Sequence, residues 1–539
     1  MVTILGLWSD HDSSYAWMKN GEIQVHEEIE RFVREKEVIA DSFAFFESAS
    51  ASLGFGSNID WIVSCYPSTQ LIDQPSWPRL ARKLAEGTRF EWVGHHRAHA
   101  AHAYFSSPGH LQNALIVSVD GGGYERDGTP LTSATALSFW HGLGHDIRHL
   151  ETVPLAQSNI GSVWTRTTRH VFGLSSGWPS GDQAGSVMAM AALSDGGESV
   201  GRFMRALTED LAVSSGGMGE DLCAEYWAPL RLEAESSSEA RNSLAAGLQL
   251  ATERLFLERL DPYIRMGNFD GLCIAGGVAL NSVMMGRIAI MYPHLEVFIP
   301  PVPYDGGLAI GAAQYVWHAL LGNERITGTP SLTPFLGREY SVNEEAAIIR
   351  GLGSRAVRAS DAEVVRLIAL GNIVGVFSGR SESGRRALGN RSILADPRDG
   401  DVQERLNARK HRASYRPFAP AVLVECVQDY FGGYGSDYMA LTVPASSSMI
   451  AAAPGALHSD ETGRLQIVTP TNAPRFYDLI SEFRDLTGVG ALLNTSLNDS
   501  EPICENLHHA LRSLDRGVAD FLYLPSHGVV VCRSSIDAQ

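Results

Sequence analysis

The chain has 539 residues, 44% of them apolar, with 61 acidic against 43 basic side chains and a formal charge of −18. That balance argues against a nucleic-acid-binding surface as its main business, and no apolar run approaches the roughly 18 residues that span a bilayer. The opening residues read directly as a strand, with no basic segment or secretory pattern, so a cytoplasmic protein is expected.

The predicted elements begin with a hairpin. Residues 2–7 read as a strand, 8–14 as a polar turn and 15–18 as a second strand, with Asn20-Gly21 a tight turn before a third at 22–25. The run His95-His96-Arg97-Ala98-His99-Ala100-Ala101-His102 holds no helix breaker, so His95 and His99 fall four apart on one helix face. Residues 114–119 form an apolar strand that ends in Asp120 and runs into Gly121-Gly122-Gly123. Acid followed by glycines at a strand end is where open α/β sheets bind ligands. Residues 271–275 read as a buried strand closed by Gly276-Gly277, with a helix expected over 279–285. Glycines there let backbone N–H groups approach a phosphate or ribose. Asp305 opens Asp305-Gly306-Gly307-Leu308 before a helix of small residues. Two imidazoles and two carboxylates, His95, His99, Asp120 and Asp305, suit a divalent iron, manganese or zinc ion with positions left for a substrate oxygen.

A Pro/Thr/Ser/Gly-rich stretch at 329–334 precedes a new α/β pattern near Ala362, which places a domain boundary between 335 and 360. The strand–loop–helix alternation predicts a mixed α/β architecture in two domains, 1–345 and 355–539. No internal repeat is evident. In the second domain Arg380, Arg385, Arg386, Arg391, Arg398, Arg405, Arg409, Lys410, Arg412 and Arg416 crowd one segment of an acidic protein. Arginine forks bind phosphate oxygens in pairs, and Gly384, Gly389 and Pro417 interrupt any solvated helix face. Residues 445–455 are Ala/Ser/Pro-rich and expected as a surface loop or flap. The apolar strand from Ala491 ends in Asn494-Thr495-Ser496-Leu497-Asn498. Basic segment and polar strand end together predict an anion pocket for a nucleotide or acyl phosphate. The six cysteines stand far apart without a Cys-x-x-Cys pair, so neither a zinc ribbon nor a disulfide framework is expected.

These residues carry a resemblance that runs nearly end to end. His11-Asp12-Ser13-Ser14, Glu30-Arg31-Phe32-Val33-Arg34-Glu35-Lys36, His95-His96-Arg97-Ala98-His99-Ala100, Gly276-Gly277-Val278-Ala279-Leu280-Asn281, Gly384 through Leu394 and Arg416-Pro417-Phe418-Ala419-Pro420 resemble, in order, the signatures of the O-carbamoyltransferases of nodulation-factor and antibiotic biosynthesis. The resemblance implies an actin/sugar-kinase-like first module, similar to the catalytic subunit of the tRNA threonylcarbamoyl-transferase system. It implies a YrdC-like second module, whose K-x-R and S-x-N elements are Lys410-His411-Arg412 and Ser496-Leu497-Asn498. The implied route makes carbamoyl adenylate from carbamoyl phosphate and ATP in the second module. The first module then passes the carbamoyl group to a hydroxyl of a small-molecule acceptor, with no nucleic acid or membrane involved.

Residue by residue, the resemblance assigns nucleotide contacts to Gly122, Gly123, Asp182, Gly185, Gly276, Gly277 and Asn281. It assigns anion contacts to Arg386, Lys410, Arg412, Arg416, Asn494, Ser496 and Asn498. It gives Fe2+ or another divalent metal to His95, His99, Asp120 and Asp305, with Mg2+ accompanying ATP. His11, with an ordinary pKa of about 6.5, becomes the general base for the acceptor hydroxyl. Three departures stand out: Ser186 where the family has a lysine in G-K-V-M, Arg385 where it has the proline of G-P-R-A-L, and Ala413 where it has a glutamate. A tRNA-modifying threonylcarbamoyl transferase is the competing reading, disfavoured by the acidic charge. A hydrogenase-maturation enzyme would need an acylphosphatase module and cysteine-rich zinc fingers, and the sequence has neither. A non-catalytic nucleotide-binding regulator is distinguished by ATP turnover.

Overall fold

The computed structural model describes residues 1–53, 58–65, 69–125, 135–153, 157–175, 183–208 and 220–533. The chain divides into two units, Met1–Glu30 with Lys36–Leu332, and Arg31–Glu35 with Thr333–Gln539. The division falls within the Pro/Thr/Ser/Gly-rich stretch. Residues just beyond it are already tied into the second unit: Ser383 N–H donates to Pro334 O (2.6 Å), Gly337 N–H to Ser381 O (3.0 Å) and Arg380 Nε to Gly337 O (2.6 Å).

Among the described residues, the first unit holds two five-stranded sheets. In the first, β1 (Thr3–Trp8), β2 (Ser14–Lys19), β3 (Glu22–Glu28), β4 (Trp61–Cys65) and β5 (Arg89–Val93) lie in the order β3-β2-β1-β4-β5. Asn20 and Gly21 sit at φ 50° and 88°, the two left-handed residues that join twisted antiparallel strands. In the second, β6 (Asn113–Gly123), β7 (Thr135–Leu143), β8 (Asp146–Val153), β9 (Gly271–Ala275) and β10 (Glu296–Phe298) lie in the order β8-β7-β6-β9-β10. Each sheet is a three-stranded antiparallel meander whose first strand continues into two parallel neighbours. The same topology therefore occurs twice. No internal repeat is expected from the sequence; the duplication lies in strand order and pairing.

Strand β6 is central, with Leu115, Ile116, Val117 and Val119 fully buried, as a strand covered on both faces requires. The helix His95–Phe105 buries every residue but Arg97, so its polar side chains must find partners inside the protein. The helix expected over 279–285 is a 3-10 turn, Gly277–Leu280, followed by a helix Ser282–Met291. The Asn281 side chain sets that start by accepting from Met284 N–H (3.1 Å).

The second unit is built on an eight-stranded sheet in the order β11-β20-β19-β12-β13-β18-β14-β17. Its members are β11 (Ala356–Arg358), β12 (Val374–Phe377), β13 (Arg391–Ala395), β14 (Ala419–Leu423), β17 (Gln466–Val468), β18 (Ala491–Ser496), β19 (Phe521–Leu524) and β20 (Val529–Cys532), with β15 (Val443–Pro444) and β16 (Thr462–Gly463) forming a separate pair. Ile373, Ile393, Leu493, Leu497, Leu522 and Val531 join one core. The helix Asp361–Ala369 starts with a capping box between Ser360 and Glu363. Residues 445–455, expected as a flap, instead contain the helix Ser447–Ala452, whose Ser446 hydroxyl accepts from Met449 N–H (3.3 Å). Met449 and Ala456 are fully buried, so apolar anchoring holds this segment down. Among the described residues no helix is long and apolar enough to cross a membrane.

Candidate active sites of the two units

In the first unit the four scattered ligand candidates converge. One donor atom from each of His95, His99, Asp120 and Asp305 lies within 4.8 Å of all the others. His99 Nε2 is 3.0 Å from Asp120 Oδ2 and 3.3 Å from Asp305 Oδ1, and His95 Nε2 is 3.2 and 3.5 Å from the same oxygens. Helix spacing supplies the imidazoles, the end of β6 supplies Asp120, and the 3-10 turn Asp305–Gly307 supplies Asp305. Burial works against charging His95, but Asp305 and Asp120 outweigh it and push its pKa up to about 10. Burial likewise opposes ionising Asp120, and the two imidazoles reverse that, holding its carboxyl well below the usual range. Imidazolium protons thus balance carboxylates here. A divalent cation fits the same donor set by displacing those protons.

The second oxygen of Asp120 is fixed by N–H groups of Gly121 (2.7 Å) and Gly277 (3.2 Å). Gly277, expected at a nucleotide, therefore orients the Asp120 carboxylate. Gly276 has φ 104° and its Cα faces the Val119 backbone, so no side chain fits there. Asn281 exchanges hydrogen bonds with Gln249 (2.9 and 3.1 Å) besides capping its helix. Gly122 and Gly123 lie at the end of β6, with Gly123 packed on the His95 ring. Gly185 lies in the helix Ala184–Ala191, and Asp182 lies outside the described residues.

His11 sits in the β1–β2 turn with its Nε2 3.4 Å from Asp305 Oδ2 and its Nδ1 3.0 Å from Asp12 Oδ2. Its side chain keeps 43% exposure, enough for a second molecule to reach it. Burial lowers its pKa, and Asp305 and Asp12 more than compensate, raising it to about 10. Asp12 holds φ 61°, a costly conformation for a residue with a Cβ. Ser14 Oγ and His26 Nε2 both bind Gly306 O (2.9 and 2.8 Å), which ties the turn to the Asp305 segment. Glu125 was not singled out from sequence. Its carboxylate accepts from Arg97 N–H (3.1 Å) in the first turn of the histidine helix.

In the second unit the arginines separate into two groups. Arg391 is fully buried and donates to the carbonyls of Ser378, Gly379 and Glu505. Arg398, Arg405 and Arg409 pair with Asp396, Asp399 and Asp520. Arg386, Arg412 and Arg416 instead gather, and a fourth arginine, Arg464, joins them. Burial first, then Arg416 and Arg386, push Arg412 down to about 9. Burial, then Arg386, Arg416 and Arg412, hold Arg464 far below its ordinary range. The buried Nε of Arg464 has no hydrogen-bond partner. Sequence reading missed Arg464 because it stands apart from the basic run; the signal was an arginine entering the apolar strand β17.

Lys410 and the polar strand end also meet. Lys410 Nζ donates to Ser496 O (2.7 Å), Asn498 O (2.6 Å) and Asn498 Oδ1 (2.9 Å), and Ser496 Oγ donates to Asn498 Oδ1 (2.7 Å). Asn494 Nδ2 donates to Ala387 O and to Gln466 Oε1, both at 3.0 Å. These contacts fix the residue after Arg386 and the strand that begins two residues after Arg464.

Residues 79–314 match the family described as carbamoyltransferase N-terminus, and residues 365–530 match carbamoyltransferase C-terminus. The chain belongs to the carbamoyltransferase family. It is similar to nodulation protein NolO of Bradyrhizobium diazoefficiens, with 30% identity covering 78% of this chain and 75% of the relative. Nodulation protein NolNO of Sinorhizobium fredii is 31% identical over 82% of this chain and 63% of its own length. A Synechocystis protein without an assigned function is 32% identical, over 80% and 74%. Among solved structures, T. kodakarensis HypF covers 60% of this carbamoyltransferase and 48% of its own chain at TM-score 0.37 and 16% identity. The activator of the 2-hydroxyisocaproyl-CoA dehydratase from Clostridium difficile covers 59% and 94% at TM-score 0.35 and 16% identity.

Proposed function

We propose that this carbamoyltransferase is ATP-dependent and works in two steps, one in each unit. In the second unit carbamoyl phosphate, water and ATP give carbamoyl adenylate, phosphate and pyrophosphate. In the first unit an acceptor hydroxyl attacks the carbamoyl carbon, the bond to AMP breaks, and the hydroxyl proton leaves to a base. The observation that carries this reading is one chain holding both a like-charge arginine cluster and a separate His/Asp cluster, in a carbamoyltransferase.

Guanidinium groups of Arg386, Arg412, Arg416 and Arg464 clamp the phosphate oxygens of carbamoyl phosphate and ATP, while Lys410, Ser496 and Asn498 brace one another and Asn494 holds Ala387 beside Arg386. A divalent cation on His95, His99, Asp120 and Asp305, iron by the family resemblance, supplies Lewis acidity to a carbonyl or phosphoryl oxygen. The nucleotide contacts that the resemblance implies fall to Gly122, Gly123, Gly185, Gly276, Gly277 and Asn281, with Asp182 outside the described residues. Asp305 and Asp12 favour the protonated form of His11; a cation on Asp305 would cancel that pull, leaving Nε2 open to take the acceptor proton while Asp12 holds Nδ1. The acceptor is a small natural product. Ser186, buried and bonded to Gln183 Oε1 (3.3 Å), leaves that part of the first unit without the family's lysine charge.

The test is ATP–pyrophosphate exchange that depends on carbamoyl phosphate, with mass-spectrometric detection of carbamoyl adenylate and a screen of hydroxyl acceptors. Exchange is expected only with carbamoyl phosphate present. Acceptor carbamoylation from carbamoyl phosphate with no ATP consumed would overturn the adenylate route.

A further inference from the structure

Five N-terminal residues, Arg31–Glu35, belong to the second unit: the chain leaves the first unit after Glu30 and returns at Lys36. Within the excursion Arg34 holds φ 66°, a conformation that costs energy for a residue with a Cβ. Its guanidinium is nevertheless committed. Nε and Nη2 bind the Glu501 carboxylate (3.0 and 2.9 Å), Nη1 donates to Ile503 O (2.8 Å) and Nη2 to Pro502 O (2.5 Å). The braced loop leads straight to the polar strand end. Asn498 Nδ2 donates to Glu501 O (2.6 Å), and Asn498 Oδ1 receives Lys410 Nζ and Ser496 Oγ. A second fork from the same segment, Arg31, donates to Gly384 O, two residues ahead of Arg386.

We propose that Arg34 is a positioning residue for the anion pocket of the second unit, holding the 501–503 loop so that Asn498, Ser496 and Lys410 keep their places. The proposal rests on the reading of that unit as the carbamoyl phosphate and ATP site. A strained backbone and a five-residue detour persist only where the surrounding contacts over-determine them. Here those contacts run to the Lys410/Asn498 network and, through Arg31, to the segment that carries Arg386. Arg34 touches no phosphate itself; it acts through Glu501 and Asn498.

The full-length Arg34→Ala variant tests this with two probes. Pyrophosphate binding by calorimetry is expected to weaken about tenfold, and the KM for carbamoyl phosphate in ATP–pyrophosphate exchange to rise by a similar factor, the size of one lost charged hydrogen bond. Acceptor carbamoylation from supplied carbamoyl adenylate should stay within about twofold of wild type, because that step lies in the first unit. A tether with no positioning role would instead lower the active fraction, reducing kcat with KM and Kd unchanged, and that result overturns the proposal. Arg34→Lys, which keeps the charge but not the fork, should fall between wild type and alanine. It carries the same readouts if the alanine variant does not fold, and wild-type Kd and KM in it overturn the proposal. Pyrophosphate binding without exchange in the wild type refutes the adenylation reading and leaves Arg34 to be judged on Kd alone. If the wild type binds no pyrophosphate, the pocket and this proposal both fall.

Discussion

The His/Asp cluster of the first unit and the arginine cluster of the second meet opposite electrostatic conditions. In the first, imidazoles and carboxylates lie 3.0–3.5 Å apart, so each favours the charged form of the other. In the second, guanidiniums of one sign are pressed together and partly buried until Arg464 is held far below its ordinary pKa. Like charges that share a site destabilise the fold until an anion enters. Under the proposed function the first site would exchange protons for a cation, and the second would relieve its repulsion by taking up a phosphate. A ligand that binds only the native state stabilises it by about 2.7 kcal/mol at a hundredfold excess over Kd. A divalent metal should therefore protect the first unit from thermal unfolding and pyrophosphate the second.

The largest effect should come from breaking the first cluster. His99→Ala removes one ligand of four. Bound metal and carbamoyl transfer should both fall to background, while carbamoyl-phosphate-dependent exchange continues. Metal content equal to wild type after purification would end the ligand assignment. His11→Asn comes next: it should lower transfer by about 10²–10⁴-fold, the usual cost of losing a general base. Supplied carbamoyl adenylate should not restore it. If the synthetic intermediate does restore normal transfer, His11 only shapes the turn.

The second cluster should break less steeply. Arg464→Gln keeps some hydrogen bonding and loses one charge, so phosphate affinity should drop by about 1.5–3 kcal/mol, or roughly 10- to 150-fold. Pyrophosphate should then raise the melting temperature of the variant less than that of wild type. Equal protection of the two proteins would place the anion elsewhere. The ligand-free variant should melt no lower than wild type, because the substitution relieves repulsion.

The two clusters also differ in how far the sequence revealed them. The His95/His99 spacing and the glycines after Asp120 and Asp305 are local signals, each readable within a few residues, and the sheets bring those loop tips together. Arg386, Arg412 and Arg416 were conspicuous because they crowd one segment, but so were Arg391, Arg398, Arg405 and Arg409, which carbonyls and aspartates absorb. Composition cannot separate the two groups, since the difference lies in which residues face an acceptor. Lys410 was expected at the anion, and its ammonium is engaged by Ser496 and Asn498. Arg464 and Glu125 were invisible because their partners are distant in sequence. The duplicated sheet topology of the first unit was invisible for a similar reason: strand pairing is a property of hydrogen-bonded neighbours, not of residue identity.

Histidine 458 offers a pH test of the crowded cluster. Burial drives its pKa down, and of its charged neighbours Asp460 raises it and Arg464 lowers it, leaving it at about 4. The ordinary value in the unfolded chain is about 6.5, so the unfolded state takes up the proton first. Stability from this group is complete above about pH 6.5 and is lost as pH falls toward 4. His458→Gln should flatten the melting-temperature profile of the second unit in that window. An unchanged slope would show that the acid sensitivity arises elsewhere.

The smallest expected effect concerns how the balanced cluster is held. The helix His95–Phe105 starts at Gly94, which has no side chain to cap it. Glu125, only 9% exposed, supplies the missing acceptor from the other side of the site: its Oε1 takes the Arg97 N–H, and His95 N–H donates to Tyr124 O (3.0 Å). A Cβ at Gly94 would collide with the Glu125 carboxylate, so the pair is fitted as a unit. Glu125 therefore registers the helix of His95 and His99 against the strand end of Asp120. Glu125→Ala should cost about 1 kcal/mol, the usual value of a lost N-cap, and weaken metal binding by about tenfold, the lower end for groups that orient ligands. Glu125→Gln, which keeps an acceptor for Arg97 N–H, should recover most of both. Metal titration and thermal melting of the two variants decide it. If alanine and glutamine lose metal equally, the carboxylate charge matters and the hydrogen bond does not; if neither loses any, the helix is positioned by its packing alone.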